Sequence, residues 1–201
     1  MKRIGLFGGT FNPVHIGHLA AAEVVLSKLK LDKVIFIPCN KPPHKTVSGL
    51  VGARHRLEMV RRAIAGSPRF FVSDFEIKQK GKSYSIHTVK YFRKQFPKPD
   101  KLYFVMGVDA LATLNKWKDI GEVLKIVSFV AVRRGGYKIP AVKYPVRIIA
   151  MPELDISSSF LRQNLFQNRV GEYLLPKAVL KYIHQHKLYP HTQKTPGFAR
   201  R

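Results

Sequence analysis

Short apolar runs alternate along this chain with longer stretches in which apolar residues recur at helical spacing. The apolar runs are candidate strands at residues 4–7, 34–37, 70–72, 102–106, 126–132 and 146–149. Helical spacing predicts helices at about residues 16–29, 53–65 and 86–96, helical segments on both sides of Trp117, and closing helices at 157–168 and 176–186. Strands that are apolar on both faces and alternate with helices are typical of a parallel sheet covered on both sides. The sequence therefore predicts an α/β fold: a Rossmann-like, doubly wound parallel sheet with helices on both faces and a small C-terminal helical portion.

A doubly wound sheet also predicts where a ligand binds. Such sheets hold their ligands beyond the carboxyl ends of the strands, near the point where the strand order reverses. That rule selects the loops at residues 8–18, 38–46 and 107–117.

Length and composition limit the possible classes of protein. The 201 residues suit one domain, which we expect to span residues 1–189 and to be followed by a disordered basic tail at 190–201. A hydrophobic content of 45% excludes a mostly disordered chain. The 36 Lys and Arg residues against 12 Asp and Glu residues give a net charge of +24, which favours polyanionic partners such as nucleotides or nucleic acid. We interpret the basic residues of the second predicted helix, Arg54, Arg56, Arg61 and Arg62, as a solvated face.

The cellular setting is inferred from what the sequence lacks. Cys39 is the only cysteine, and we interpret it as structural in a reducing compartment. The N-terminal segment does not continue as a signal peptide, and no run approaches the ~20 apolar residues that a membrane span needs. These features predict a cytoplasmic protein that does not interact with membranes.

The loop after the first strand has features of a phosphate site. Gly8 and Gly9 allow close approach of a backbone to a ligand, and the helix that follows presents free N–H groups and the positive end of its dipole. His15 and His18 are three residues apart, so one helical turn places both imidazoles on one side, with Gly17 between them. This arrangement suits a negatively charged phosphorus transition state. A metal site on His15 and His18 is an alternative, although no third ligand is obvious nearby.

A second block, at residues 156–162, has similar chemistry. Consecutive serines at a predicted helix start supply an N-cap and further donors, and Arg162 falls one turn inside the same helix. Together they form a second candidate anion site.

Both blocks resemble signatures of the nucleotidyltransferase superfamily that carries a His-x-Gly-His motif. Residues 8–18 resemble Gly-Gly-Thr-Phe-Asp-Pro-x-His-x-Gly-His, with Asn12 in place of Asp, and residues 156–162 resemble Ile-Ser-Ser-Thr-x-x-Arg, with Ser159 in place of Thr. The segments at 42–45, 83–88, 105–109 and 173–176, together with Trp117, are similar to bacterial nicotinate mononucleotide adenylyltransferases. Departures from that family's pattern are Ser85 in place of Thr, His87 at a variable position, Lys118 in place of an aromatic residue, and Gly135 in place of Pro.

The resemblance implies an enzyme of NAD biosynthesis that transfers the adenylyl group of ATP to nicotinate mononucleotide and gives deamido-NAD and pyrophosphate. It assigns catalysis to His15, His18 and Arg162. It assigns ATP binding to Gly8, Gly9, Thr10, Phe11, Gly107, Asp109, Arg134, Ser157 and Ser158. It assigns binding of the mononucleotide to Asn40, Lys45, Tyr84, Ser85 and Trp117. Mg²⁺ is expected to accompany ATP and to be held by the phosphates, with no metal site on the protein.

Other interpretations remain open at this point. The same chemistry with nicotinamide mononucleotide, or with both mononucleotides, fits the same motifs. A basic nucleic-acid-binding protein fits the charge, but the sequence shows no known RNA or DNA module, and we expect no specific nucleic-acid partner. A catalytically inactive member of the superfamily is disfavoured by the presence of His15, His18 and Arg162. Trp117 is either a stacking surface for the pyridine ring or a half-buried core residue, and the chain is a possible homo-oligomer.

Overall fold

A parallel sheet of six strands lies at the centre of the part of the chain that the computed structural model describes, which is residues 1–42, 49–133, 139–165 and 173–189. The strands are β1 (Arg3–Gly9), β2 (Lys33–Pro38), β3 (Phe70–Val72), β4 (Lys101–Gly107), β5 (Ser128–Arg133) and β6 (Val146–Ala150). Their order across the sheet is β3-β2-β1-β4-β5-β6, and every neighbouring pair is parallel. The predicted α/β fold with a doubly wound parallel sheet is confirmed.

Helices connect the strands on both sides of the sheet. They are α1 (Ile16–Lys28), α2 (Ala53–Ile64), α3 (Phe75–Lys78), α4 (Ser85–Gln95), α5 (Ile120–Ile126), α6 (Ser158–Asn164) and α7 (Lys177–Gln185), with a 3-10 helix over Val108–Lys116 before α5. The short helix α3 was not predicted. The fifth strand begins at Ser128 rather than at residue 126, and residues 166–168 of the predicted closing helix lie outside the described residues.

Each face of the sheet packs against its own hydrophobic cluster. Phe7 and Val105 face the cluster formed with α1, α2 and α7. Leu6 and Phe104 face the cluster formed with α4, α5 and the 3-10 helix. Because successive strand residues point to opposite faces and both faces are covered, the central strands are apolar throughout.

The strand order reverses between β1 and β4, which are neighbours in the middle of the sheet. The loops that follow β1 and β4 therefore open side by side at the carboxyl edge of the sheet, and the end of β2 lies beside that of β1, where the Cys39 N–H donates to the Gly9 carbonyl oxygen at 3.0 Å. This is the edge at which a doubly wound sheet binds ligands.

The single domain at 1–189 stays a prediction, and the predicted tail at 190–201 lies outside the described residues. In the described ranges, no helix has the length and apolar character needed to cross a bilayer.

Candidate active site

The two histidines of the first loop lie together at the start of α1. His15 is the N-cap of α1 and is buried, while His18 is half-buried in the first turn. Their ring centroids are 3.8 Å apart, and the His15 N–H donates to His18 Nδ1 at 3.3 Å. Both imidazoles therefore lie at the positive end of the helix dipole, where an anion is stabilised.

Gly17 makes this pairing of rings possible. A Cβ at this position would lie 3.0 Å from Nδ1 and 3.1 Å from Cε1 of His15. These separations are tighter than ordinary van der Waals contacts, so the His15 ring occupies space that any side chain at Gly17 would need.

The second block of the sequence packs directly on the first loop. Arg162 donates from one terminal nitrogen to the Asn12 carbonyl oxygen at 2.8 Å and from the other to Ser159 Oγ at 3.2 Å. The Ser158 hydroxyl donates to the Pro13 carbonyl oxygen at 2.9 Å, and Ser157 caps α6 by accepting from the Phe160 N–H at 3.1 Å. Burial lowers the pKa of Arg162 from its ordinary value, but a guanidinium stays charged at neutral pH. A permanent cation is thus fixed on the loop that carries the two histidines.

Asn12 anchors this loop from its other side. The buried Asn12 amide donates from Nδ2 to the Gly49 carbonyl oxygen at 3.0 Å. Its Oδ1 accepts from the Val51 N–H at 3.2 Å and from the Tyr189 hydroxyl at 3.0 Å. Desolvation raises the pKa of the buried Tyr189 phenol, so Tyr189 remains a hydrogen-bond donor at neutral pH. The side chain therefore links the loop to two distant segments of the chain.

A buried arginine holds the ends of β1 and β2 together. Arg56 in α2 is 1% exposed, which overturns its interpretation as part of a solvated helix face, whereas Arg54 and Arg61 are exposed as expected. It donates to the carbonyl oxygens of Thr10 at 2.8 Å, Asn40 at 2.8 Å and Val51 at 3.1 Å. Arg56 thus positions the predicted ATP-binding residue Thr10 and the predicted substrate-binding residue Asn40. The sequence held a signal that could have identified it, since Arg56 lies one helical turn before the buried Val60.

The end of β4 brings Gly107 and Asp109 together. A Cβ on Gly107 would clash with Asp109 Oδ1, so the glycine leaves room for this carboxylate to fold back over the strand end. Asp109 is exposed at the start of the 3-10 helix, at the same edge of the sheet as the histidine loop. Its carboxylate can accept hydrogen bonds from the hydroxyls of a ligand.

A cleft of about 270 Å³ opens at the start of α4, and its lining includes Ser83, Tyr84, His87 and Lys118. The predicted residue Asn40 ties this region to β2, because its N–H donates to Ser83 Oγ at 2.9 Å and its Nδ2 donates to the Gln79 carbonyl oxygen at 3.0 Å. Tyr84 is the N-cap of α4, which begins at Ser85. Of the predicted binding residues, Tyr84 therefore lines the cavity, Asn40 is hydrogen-bonded to two residues of its lining, and Ser85 follows Tyr84 in the chain.

Two further residues near the cleft refine the expectations. Trp117 is half-buried, and its ring packs edge to face against Phe104 and Phe129 at centroid distances of 5.6 and 5.9 Å. Part of its role is thus structural. Glu76 lines the cleft and is buried, accepts a hydrogen bond from Thr88 Oγ1, and has a pKa raised by desolvation. Sequence reasoning missed Glu76.

Two predicted residues, Lys45 and Arg134, lie outside the described residues. Across the described ranges, no group of three or more His, Cys, Asp or Glu side chains could hold a metal ion, so no third ligand joins His15 and His18 there.

Comparisons with known proteins place this chain among nucleotidyltransferases. Residues 6–164 match the cytidylyltransferase-like family. The chain is 41% identical over 189 residues to a probable nicotinate-nucleotide adenylyltransferase from Bacillus pumilus, covering 94% of this chain and 99% of the relative. It is 36% identical over 189 residues to the nicotinate-nucleotide adenylyltransferase of Bacillus subtilis, again covering 94% and 99%.

Solved structures show the same fold. A nicotinic acid mononucleotide adenylyltransferase from Plasmodium falciparum complexed with APC aligns with a TM-score of 0.75 at 20% identity, over 94% of this chain and 98% of the other. The same enzyme complexed with NaAD aligns with a TM-score of 0.73 at 22% identity, over the same shares. At this identity the likeness extends to the fold alone.

Proposed function

Because the chain belongs to the cytidylyltransferase-like family, and within it to the nicotinate-nucleotide adenylyltransferases, we propose that it transfers the adenylyl group of ATP to nicotinate mononucleotide, releasing pyrophosphate and forming deamido-NAD. One observation carries the assignment of the site: Arg162 and Ser158 are hydrogen-bonded to the loop that presents His15 and His18. Two imidazoles, a guanidinium and a hydroxyl group are thus gathered on one loop and the helix N-terminus that follows it, as the binding of a triphosphate requires.

The chemistry needs positioning more than acid–base catalysis. An oxygen of the mononucleotide phosphate attacks the α-phosphorus of ATP and forms a new P–O bond. The bond from the α-phosphorus to the bridging oxygen breaks, and pyrophosphate leaves with that electron pair. Because the attacking phosphate is already anionic at neutral pH, no general base is required, and catalysis rests on alignment and charge stabilisation.

The histidines supply donors to the reacting phosphates. His18 Nδ1 accepts the His15 N–H, so a neutral His18 ring carries its proton on Nε2 and can donate from there to an α-phosphate oxygen. His15 contributes a second imidazole at 3.8 Å between ring centroids. The backbone around Gly8, Gly9, Thr10 and Phe11 completes this part of the site at the end of β1.

The leaving group is assigned to the second block. The Arg162 guanidinium has five N–H donors, so it can bind β- and γ-phosphate oxygens while two of its nitrogens hold Asn12 and Ser159. Ser157 and Ser158 lie beside it at the start of α6. Charge developing on pyrophosphate is then stabilised by a cation whose position is already fixed.

The nucleosides of ATP and of the mononucleotide are assigned to the remaining parts of the carboxyl edge of the sheet. Asp109 beside Gly107 accepts hydrogen bonds from a ribose of ATP. Asn40, Tyr84, Ser85 and Trp117 bind the pyridine mononucleotide around the cleft at α4. Lys45 and Arg134 stay predicted contributors, since both lie outside the described residues.

Magnesium fits this site as part of the nucleotide. The groups gathered here are imidazole, guanidinium, hydroxyl and backbone N–H groups, which suit phosphate oxygens better than Mg²⁺, an ion that prefers carboxylate, phosphate and water oxygens. A Mg²⁺ ion carried by the phosphates of ATP would neutralise part of their charge.

We also propose a cytoplasmic setting, which agrees with the single, buried and unpaired Cys39. Homo-oligomerisation stays a prediction.

Pyrophosphate release tests the assignment of His18. We expect His18→Ala to lower turnover with ATP and nicotinate mononucleotide on the order of 10²-fold or more, because a donor to the transition state is lost. The half-buried position of His18 predicts that the circular dichroism spectrum stays unchanged. His184→Ala, at an exposed position on α7, is the matched control and should retain normal turnover. Near-normal turnover of His18→Ala would contradict the role given to His18, and a wild-type protein without turnover would contradict the function itself.

A further inference from the structure

The cleft at the start of α4 is lined by an excess of basic side chains. Lys80, Lys82 and Lys118 contribute to its walls together with His87. Among the described residues, none of these three lysines forms a salt bridge. Their charges are therefore available to a bound anion.

The acidic side of the cleft is a single carboxyl group. Glu76 is 7% exposed, and its carboxyl accepts a hydrogen bond from Thr88 Oγ1. Desolvation raises the pKa of Glu76 because burial penalises the charged form. Even a fully ionised Glu76 is one negative charge against three lysines, so the cleft keeps an excess of positive charge and favours negatively charged ligands.

Lys118 has the most defined position of the three lysines. Its Nζ lies 5.3 Å from the centroid of the Tyr84 ring, a distance at which an ammonium group is attracted to the face of an aromatic ring. It directly follows Trp117, whose ring is held by Phe104 and Phe129. The cation thus lies at the ring of Tyr84, one of the two aromatic residues that we assign to the pyridine ring, and it is next in sequence to the other.

The two possible mononucleotides differ at one group. Nicotinate mononucleotide carries a carboxylate on the pyridine ring where nicotinamide mononucleotide carries a neutral carboxamide of nearly the same shape. Shape alone therefore separates them poorly, whereas a fixed positive charge beside the ring separates them well.

We propose that Lys118 is a specificity-determining residue, whose ammonium group pairs with the pyridine carboxylate and selects the acid over the amide. This inference rests on the proposed function. In this arrangement Trp117 supplies the stacking surface, and Lys118 adds a charge contact.

The test compares kcat/KM for the two mononucleotides at saturating Mg-ATP. Lys118→Met keeps the length of the side chain and removes its charge. We expect it to lower kcat/KM for nicotinate mononucleotide about tenfold or more, the size of a hydrogen bond to a charged group, while the value for nicotinamide mononucleotide stays level or rises. Lys118→Arg should restore most of the preference. Lys116→Met, an exposed lysine outside the cleft, is the matched control and should change neither value.

Direct measurement of binding extends the test to nicotinamide mononucleotide even where its turnover is too slow to measure. Calorimetric titration with each mononucleotide in the absence of ATP should show the same loss of preference in Lys118→Met. An unchanged preference, or an equal loss for both mononucleotides, would overturn the role of Lys118, since an equal loss points to a contact with the shared phosphate. Either of those results would leave the proposed function standing, because the wild-type protein would still be active. A wild-type protein that is inactive with both mononucleotides would contradict the proposed function instead.

Discussion

The Asn12 amide makes hydrogen bonds from both of its ends. Nδ2 donates to the Gly49 carbonyl oxygen, and Oδ1 accepts from Val51 and Tyr189. The related signature has aspartate here, and an aspartate can accept the second and third bonds but cannot donate the first. The amide therefore suits this chain because the carbonyl oxygen of Gly49 needs a donor.

Exchanging the amide for a carboxylate tests this account. We expect Asn12→Asp to lower the free energy of unfolding at neutral pH by about 1–3 kcal/mol, because a buried acceptor would then face the Gly49 carbonyl oxygen without a proton between them. Urea unfolding followed by circular dichroism measures the change. Asn115→Asp, at an exposed position, is the control and should stay within about 0.5 kcal/mol of wild type. A fully stable Asn12→Asp protein would show that the donor side of the amide is dispensable.

At the scale of the element, the first turn of α1 must be stable as a helix and must also leave room for the His15 ring. Alanine normally stabilises a helix relative to glycine, by up to about 1 kcal/mol. At Gly17 a Cβ would press on the His15 ring, whereas at Gly121, also the second residue of its helix, a Cβ would meet nothing within 4 Å.

These two glycines form a matched pair for mutagenesis. We expect Gly121→Ala to gain up to about 1 kcal/mol in stability with normal turnover. Gly17→Ala should gain no stability and lose turnover about tenfold or more, because His15 is displaced from its position beside His18. Thermal unfolding and pyrophosphate release measure the two effects. Equal behaviour of the two variants would show that the ring contact at Gly17 is unimportant.

The elements that the sequence predicted best are those with a simple hydrophobic pattern. The central strands are apolar on both faces, so their runs stand out, and α2 and α4 have a clear apolar side. The four-residue α3 is too short to show a period, and the start of β5 was misplaced because Ile126 is apolar yet ends α5. Arg56 was misjudged because a charged residue is usually solvated; its burial depends on three carbonyl oxygens that only the folded chain brings together.

At the scale of the whole molecule, the predicted sheet was enough to locate the candidate site. It did not predict which distant segments pack together to form that site. The rule for doubly wound sheets selected the loops after β1, β2 and β4, and the strand order brings those ends together. The packing of α6 on the Asn12–Pro13 loop could be anticipated only from the family resemblance, because no local pattern signals a contact between such distant positions.

The net charge of +24 also belongs to this scale. The acidic partners of the surface ion pairs are already subtracted in this value, so the folded state carries repulsion between like charges. We expect the Tm to rise by several degrees as sodium chloride increases from about 0.01 M to about 0.15 M, since the screening length falls from about 30 Å to about 8 Å. Chloride is used instead of sulfate because an oxyanion could stabilise the protein by binding at the proposed phosphate site. A Tm that falls over this range would show that attractive pairs outweigh the repulsion.

The hydrogen bonds from Arg162 and Ser158 to the first loop span 150 and 145 positions of the chain. Because synthesis proceeds from the N-terminus, a nascent chain has the two histidines long before it has Ser158 and Arg162. Until then it cannot hold the outer phosphates of a nucleotide through both motifs. The order of synthesis thus makes the proposed nucleotide site one of the last parts of the molecule to be completed.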